Sequence, residues 1–324
     1  MQQAAGSSVF VPHLLIILFF TGSSLFGPGP AMAQSSRPRY YVIPENPRPG
    51  EPITVAVGAE GGPRAAALLS NSGRRLAGAL FFTVQAKDGG RPFMAAVLAA
   101  PAAAPPGFAV INIEGDRGTI LEIPLVIRER DFSSEEIALD ETLTGLRTAP
   151  DPQKTAEAEQ LWAILRRTGG DVYCCGSFSP PVSSTRRTGF FGDRRVFKYS
   201  NGKSDASIHA GIDYGVPSGT EVKACAGGKV VLARFRIVTG NSVVIEHLPG
   251  VYSLYYHLNK IEVSEGSMVD TGTLLGRSGA TGLATGPHLH WEIRVSGENA
   301  DPDAFIARPI LDKDAILAKI GDIP

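Results

Sequence analysis

The chain has 324 residues, with 31 lysines and arginines against 32 aspartates and glutamates. That length has room for two domains, and the near-zero net charge excludes a global field that would attract nucleic acid or an anionic membrane surface. The 37 glycines and 24 prolines, with few long apolar helical patterns, favour a mainly β fold.

The amino-terminal segment is typical of a secretory signal peptide. An apolar run at residues 9–20 is followed by an A-x-A cleavage pattern at residues 31–33. The run is too short to span a bilayer and Pro12 interrupts it, although no lysine or arginine precedes it. We therefore expect a signal peptide at residues 1–33 and export to the periplasm, the cell surface or the medium. An uncleaved N-terminal membrane anchor is the alternative.

Residues 34–130 are predicted to form a β-sandwich-like accessory domain. Turn signals rich in glycine and proline separate short runs of strand-like composition. The region has no histidine and no carboxylate cluster, so we expect a spacer, a cover or a surface for an envelope protein partner. The predicted strands are Tyr40–Ile43, Ile53–Val57, Ala65–Leu69, Leu80–Gln85, Phe93–Ala99, Phe108–Ile113 and Ile120–Ile127.

Residues 131–177 change character and are predicted to be a linker that contains one helix. Asp151 and Pro152 form a typical helix start, with aspartate as the N-cap and proline in the first turn. Apolar residues at positions 158, 161, 164 and 165 mark one helical stripe, which the glycine pair at 169–170 ends. The simplest interpretation is a helix packed on one of the two domains.

Residues 178–308 return to strands and turns, as expected of short antiparallel strands in a compact sheet-on-sheet core. The last strand is expected to end near Val295. A helical tail at residues 309–324 should hold a short helix around Asp312–Ile320.

The three cysteines leave two alternatives open. One bridge can join Cys225 to either Cys174 or Cys175, or all three are free or buried thiols. A structural zinc site is not indicated, because the spaced cysteine pairs of such sites are missing from the sequence.

Five of the six histidines lie in the second half of the chain, and His288 and His290 form an HxH pair. Alternating apolar and polar residues after the pair predict a strand, which projects both imidazoles from one face. His209 and Asp213 can reach one cation together with one histidine of that pair. A catalytic zinc site uses three such ligands and leaves a position for a water whose pKa falls to roughly 7. His257 and the other histidine of the pair remain for proton transfer and oxyanion stabilisation.

Three motifs in this order resemble those of the lysostaphin/LytM-type zinc metallopeptidases. They are H-x-x-x-D at residues 209–213, L-Y-Y-H-L at residues 254–258 and T-G-P-H-L-H-W-E at residues 285–292. The resemblance extends from about residue 189 to residue 305. It implies an antiparallel β catalytic domain of LytM type, and an endopeptidase that cuts peptide cross-links or bridges of bacterial peptidoglycan.

The same resemblance implies roles for single residues. It makes His209, Asp213 and His290 the ligands of Zn²⁺, and it makes His257 and His288 the catalytic groups that act on the water and the oxyanion. All five positions are intact here. The expected function is therefore that of an exported zinc metalloendopeptidase. The alternative is a catalytically silent LytM-like envelope factor that binds cell wall or activates an amidase.

Two further residues are candidates for contact with the peptidoglycan peptide. Asn241 can donate a hydrogen bond to substrate backbone, with a turn role beside its glycine neighbour as the equal alternative. Tyr256 stands where smaller residues are usual in the family and can narrow the cleft or add a donor. His247 is interpreted as a packed histidine. Arginines 186, 187, 194 and 195 are interpreted as a solvated basic loop, with contact to acidic stem peptides as the alternative.

Overall fold

The computed structural model describes residues 39–59, 62–86, 90–167 and 169–321. The predicted signal peptide at residues 1–33 lies outside the described residues. Within the described ranges, no helix combines the length and the apolar character needed to cross a membrane. The described part of the chain has 22 strands and four helices, and its sheets are mainly antiparallel, so the predicted mainly β fold is confirmed.

The amino-terminal strands form two four-stranded sheets that face each other. Their orders are β1-β2-β6-β5 and β4-β3-β7-β8. Ile53 and Leu98 of the first sheet share a buried core with Leu68 and Ile111 of the second, which is the arrangement of a β-sandwich. The strands are β1 (Tyr40–Ile43), β2 (Pro52–Gly58), β3 (Pro63–Ser70), β4 (Arg75–Leu80), β5 (Phe82–Val84), β6 (Phe93–Ala99), β7 (Gly107–Gly115) and β8 (Gly118–Ile127).

The predicted strand Leu80–Gln85 is confirmed only at its centre, as β5 (Phe82–Val84), because the chain changes sheets at its start. β4 ends at Leu80 and pairs with β3, whereas β5 begins at Phe82 and pairs with β6. β4 is made largely of small residues, whose β propensity is low, so composition gave no signal for it. Its alanines 77 and 79 nevertheless alternate into the core.

The predicted linker contains more structure than one helix. The predicted helix is α2 (Pro152–Leu165), and the Asp151 carboxylate accepts hydrogen bonds from the backbone N–H groups of its first turn. It ends at Leu165, several residues before the glycine pair. The sequence did not predict strand β9 (Ser134–Ala138) or helix α1 (Glu141–Thr148). β9 pairs with β11 (Arg194–Lys198), which also pairs with β12 (Ser204–Ile208). The three strands form a separate sheet in the order β12-β11-β9.

The carboxyl-terminal half is built on an eight-stranded sheet with a smaller three-stranded sheet, β14-β20-β18. Trp291, Tyr255 and Val243 are fully buried in its core. The elements are β10 (Arg187–Gly189), β11 (Arg194–Lys198), β12 (Ser204–Ile208), β13 (Gly211–Tyr214), β14 (Glu221–Lys223), β15 (Gly228–Arg236), β16 (Gly240–Leu248), β17 (Val251–Leu258), β18 (Lys260–Ile261), β19 (Met268–Val269), β20 (Leu274–Arg277), β21 (Leu289–Val295), β22 (Glu298–Ala300), α3 (Pro302–Ala307) and α4 (Lys313–Ile320).

The tail helix of this half agrees with the sequence-based prediction, whereas the predicted end of the last strand does not. The tail helix begins after Asp312, whose carboxylate caps it, close to the predicted range. The last strand is β22 rather than β21, because a tight turn after Val295 lets the chain pair back on itself. Cys174, Cys175 and Cys225 are free thiols, which agrees with the second of the two cysteine alternatives.

The sheet register brings distant residues to one place. β13 lies between β10 and β21, and Asp213 is directly opposite His290 across the antiparallel ladder. A Cβ atom at Gly211 would lie 2.2 Å from the carbonyl oxygen of Trp291. Glycine at that position therefore permits the close approach of β13 and β21.

Candidate metal centre

Three buried side chains converge beside strands β13 and β21 of the large sheet. Nε2 of His209 lies 3.2 Å from Oδ1 of Asp213 and 3.0 Å from Nδ1 of His290. Nδ1 of His290 lies 2.8 Å from Oδ1 of Asp213. The structure thus brings together the three residues predicted as metal ligands, and their ligand atoms form a group that can hold one ion.

The hydrogen bonds around the two imidazoles show that this group fits a cation. Nδ1 of His209 donates to the carbonyl oxygen of Phe190 at 2.8 Å, and Nε2 of His290 faces a carboxylate oxygen of Glu292 at 3.4 Å. Without a metal, the inner nitrogens can hold protons that they donate to Oδ1 of Asp213; with protons on the outer nitrogens alone, as metal binding requires, the inner nitrogens present lone pairs to an ion beside that oxygen. Ligands about 2.0–2.1 Å from a tetrahedral zinc ion lie about 3.3 Å apart, close to the observed separations.

The electrostatics of the centre also favour positive charge. Burial alone would raise the pKa of Asp213, but hydrogen bonds with His209 and His290 hold it well below its usual range. Burial opposes a charge on His290, yet its contacts with Asp213 and Glu292 raise its pKa to about 9. A buried carboxylate that stays ionised among imidazoles is a typical setting for a metal ion.

His257 and His288 lie beside the three ligands. Their ring centroids are 4.8 Å apart, and Nε2 of His288 is 3.9 Å from Oδ1 of Asp213. Nδ1 of His257 donates to the carbonyl oxygen of Thr281 and Nδ1 of His288 donates to that of Gly286, each at 2.8 Å. These bonds leave the lone pair of each neutral ring on Nε2.

The backbone of His257 is strained and its side chain is kept neutral. Its φ angle is +60°, in the left-handed region, and its N–H donates to Thr239 at 2.9 Å. Strained backbone of this kind costs about 1–3 kcal/mol and clusters at functional sites. Burial, together with the imidazoles of His288 and His290, lowers the pKa of His257 to about 3.

The two predicted substrate-binding residues make contacts inside the protein. Asn241 donates through its amide to the carbonyl oxygens of Leu258 and Asn259 at 3.0 and 3.1 Å. The ring of Tyr256 is 5% exposed and stacks on His290 with 5.5 Å between centroids. These contacts fit a turn role for Asn241 and a supporting role for Tyr256, and substrate contact by either residue stays a prediction. His247 is fully buried, in agreement with its interpretation as a packed histidine.

The metal group lies at the base of an open groove of about 380 Å³. One wall is the loop at residues 283–287, and the other is formed by β9 and α1 of the predicted linker. The side chains from β9, α1 and the chain between them that line the groove are Glu135, Ile137, Leu139 and Leu143.

The interpretation of the arginines as a solvated loop is wrong for two of them. Arg187 forms a two-pronged ion pair with Asp303 at 2.5 and 2.7 Å. Arg195 donates to Asp213 at 2.6 Å and also to Glu135. These ion pairs could not be predicted from local sequence patterns, because each joins residues from separate elements of the fold.

The family comparison identifies the same region. The model of peptidase family M23 matches residues 207–302, which include all five predicted metal and catalytic residues. A crystal structure assigned to a peptidase M23 from Pseudomonas aeruginosa is 26% identical, with a TM-score of 0.55. The match covers 80% of this chain and 94% of that one, so the similarity of fold includes strands well outside the matched family range.

Curated relatives are similar to a part of this chain. The DD-carboxypeptidase/endopeptidase Mpg of Neisseria meningitidis is 39% identical over an alignment of 132 residues that covers 36% of this chain and 30% of the relative. The peptidoglycan DD-endopeptidase ShyA of Vibrio cholerae is 45% identical over 89 residues, 28% of this chain and 21% of the relative. The chain thus spans less than a third of the length of these relatives. Residues 207–302 of this chain form a peptidase family M23 domain.

Proposed function

We propose that this chain is an exported zinc metalloendopeptidase that hydrolyses peptide bonds in the stem peptides or cross-links of peptidoglycan. The observation that carries the proposal is the convergence of three metal-facing ligand atoms at the base of an open groove, beside two further histidines. Two relatives support the substrate class: Mpg is named a DD-carboxypeptidase/endopeptidase, and ShyA is named a peptidoglycan DD-endopeptidase. Export rests on the sequence pattern at residues 1–33, and the envelope protein partner rests on the sequence alone.

His209, Asp213 and His290 would hold the zinc ion. Zinc in such a site lowers the pKa of a water and polarises a carbonyl group. All three residues are buried, so their side chains would be shielded from bulk water around the ion. The carboxylate adds the negative charge that retains a dication.

His257 and His288 would move protons through Nε2, because Nδ1 of each is committed to a backbone carbonyl. A neutral imidazole accepts the proton of the attacking water at Nε2, and the ring then carries an N–H that can donate to the tetrahedral oxyanion or to the leaving amine. The rigid hold on both rings means that little reorganisation is needed during the reaction. Which of the two rings takes the proton first depends on the position of the peptide.

The experiment uses the purified chain and isolated peptidoglycan. We expect new amino termini and shortened muropeptides, identified by mass spectrometry, with loss of activity on chelation and recovery with zinc. Unchanged release after chelation, or full activity in His290→Ala, would refute the zinc-dependent mechanism. Binding to peptidoglycan without any cleavage would favour the catalytically silent envelope factor, which the intact set of five residues argues against.

A further inference from the structure

The outer oxygen of Asp213 is tied to a segment upstream of the family domain. Oδ1 faces the two imidazoles, whereas Oδ2 accepts a hydrogen bond from Nη2 of Arg195 at 2.6 Å. Nε of Arg195 donates to the carboxylate of Glu135 on β9. The exposed fraction of the side chain is 8% for Asp213, 14% for Arg195 and 36% for Glu135. The chain of contacts therefore runs from the metal group to a strand of the predicted linker.

The pairing of two strands places Arg195 and Glu135 side by side, so their contact follows from the backbone of the fold. β9 pairs in parallel with β11, and Arg195 is directly opposite Glu135 in the register. Successive residues of a strand point to opposite faces. Glu136 accordingly points away from the groove and pairs with Lys198 at 3.0 Å, where both side chains are largely exposed.

The neighbouring strand leaves room for the arginine. A Cβ atom on Gly189 of β10 would lie 2.2 Å from Nη2 of Arg195 and 2.9 Å from Oδ2 of Asp213. Any larger residue at Gly189 would occupy the space in which the guanidinium meets the carboxylate. The absence of a side chain there thus belongs to the same arrangement.

The charges explain why both upstream residues are needed. A guanidinium beside a metal ligand orients the carboxylate, but its positive charge repels the dication that the carboxylate is to hold. The Glu135 carboxylate, on the far side of Arg195, offsets that repulsion. We propose that Glu135 and Arg195 are positioning residues of the metal centre, so that strand β9 completes a site whose ligands all lie within residues 207–302. This inference rests on the proposed zinc site.

The test compares Glu135→Gln with the matched control Glu136→Gln in the full chain. Each variant removes one negative charge from the same strand, on opposite faces. Zinc affinity is measured by competition with a chromophoric chelator, and folding is checked by the melting temperature. We expect Glu135→Gln to weaken zinc binding roughly tenfold, the lower end of the effect of losing a direct partner of a metal ligand, because Glu135 acts through Arg195. Glu136→Gln should stay within about twofold of wild type.

Two further variants separate positioning from a general effect on folding. In an Arg195→Gln background, adding Glu135→Gln should change zinc affinity no further, because its effect acts through the arginine. Arg195→Lys keeps the charge but lacks the planar fork that serves two carboxylates, so it should lose affinity as well. Saturating zinc should restore most of the kcat of Glu135→Gln.

The outcomes distinguish this inference from the proposed function. Equal zinc affinity of Glu135→Gln and Glu136→Gln would overturn the inference while leaving the zinc enzyme intact. An undiminished effect of Glu135→Gln in the Arg195→Gln background would also overturn it. Failure of the wild-type chain to bind zinc would instead overturn the proposed function, and the inference with it. If Glu135→Gln does not fold, the affinity of Arg195→Lys decides, and wild-type affinity there refutes the role of the arginine.

Discussion

Replacing His257 or His209 by alanine should separate catalysis from metal binding. Both imidazoles are buried, with exposed fractions of 8% and 3%, so the two variants delete similar groups from similar surroundings. Nε2 of His209 is one of the three clustered ligand atoms. The His257 ring lies 6.4 Å from that of His290 and bonds to Thr281, so its loss leaves the ligand group in place.

The two variants should lose different properties, turnover in His257→Ala and zinc binding in His209→Ala. His257→Ala should keep its zinc and lose about 10²–10⁴-fold in kcat, the usual contribution of general acid–base catalysis, which corresponds to about 2.7–5.4 kcal/mol of barrier. His209→Ala should lose zinc, because two remaining ligands hold a dication poorly. Adding zinc in excess should then recover part of the activity of His209→Ala and none of that of His257→Ala.

The assay measures zinc content by elemental mass spectrometry after desalting, beside the release of amino termini from peptidoglycan. Similar melting temperatures of the two variants serve as the control for folding. Equal loss of zinc in both variants would show that the division between ligand and catalytic histidines is wrong. Retention of wild-type turnover by His257→Ala would remove it from the reaction altogether.

Three further predictions concern stability and the metal centre. His257→Gly should be about 1 kcal/mol more stable than His257→Ala in denaturant unfolding, because glycine tolerates the φ angle of +60°; equal stability would count against backbone strain. Burial lowers the pKa of His247 from 6.5 to about 4, so only the unfolded chain takes up that proton between these values. Stability should therefore fall by about 3 kcal/mol as the pH drops from 6.5 to 4, and His247→Gln should lack this component. Gly189→Ala should weaken zinc binding roughly tenfold by displacing Arg195, whereas Gly58→Ala, with nothing within 4 Å of the new Cβ, should not.

The residue types of the predicted ligands, and the motifs that contain them, could be identified from the sequence because each motif is short and local. His209 and Asp213 are close in the chain, and the alternating pattern after His290 is a reliable sign of a strand. The choice between His288 and His290 as ligand was different in kind. It depends on the register that puts Asp213 opposite His290, and a pairing between strands some 77 residues apart cannot be read from local patterns.

The wall of the groove could not be predicted for a related reason. β9 is five residues long and contains two glutamates, which have low β propensity. Its structure comes from parallel pairing with β11, and the contact of Glu135 with Arg195 spans 60 residues. Residues 131–177 therefore looked like a linker because the strand they contain is stabilised by its partner and not by its own composition.

The position of these contacts bears on what a family match means for this chain. The match covers residues 207–302, yet the carbonyl that orients His209 belongs to Phe190, and the guanidinium that holds Asp213 belongs to Arg195. Both lie upstream of the matched range, and Arg195 is in turn held from β9. Two M23 domains with identical ligands can thus differ in metal retention and in the shape of the groove through the chain that precedes them. A fragment beginning at the matched range would keep every predicted ligand and lose the partners that hold two of them, so we expect the proposed metal centre to need the chain from β9 onward.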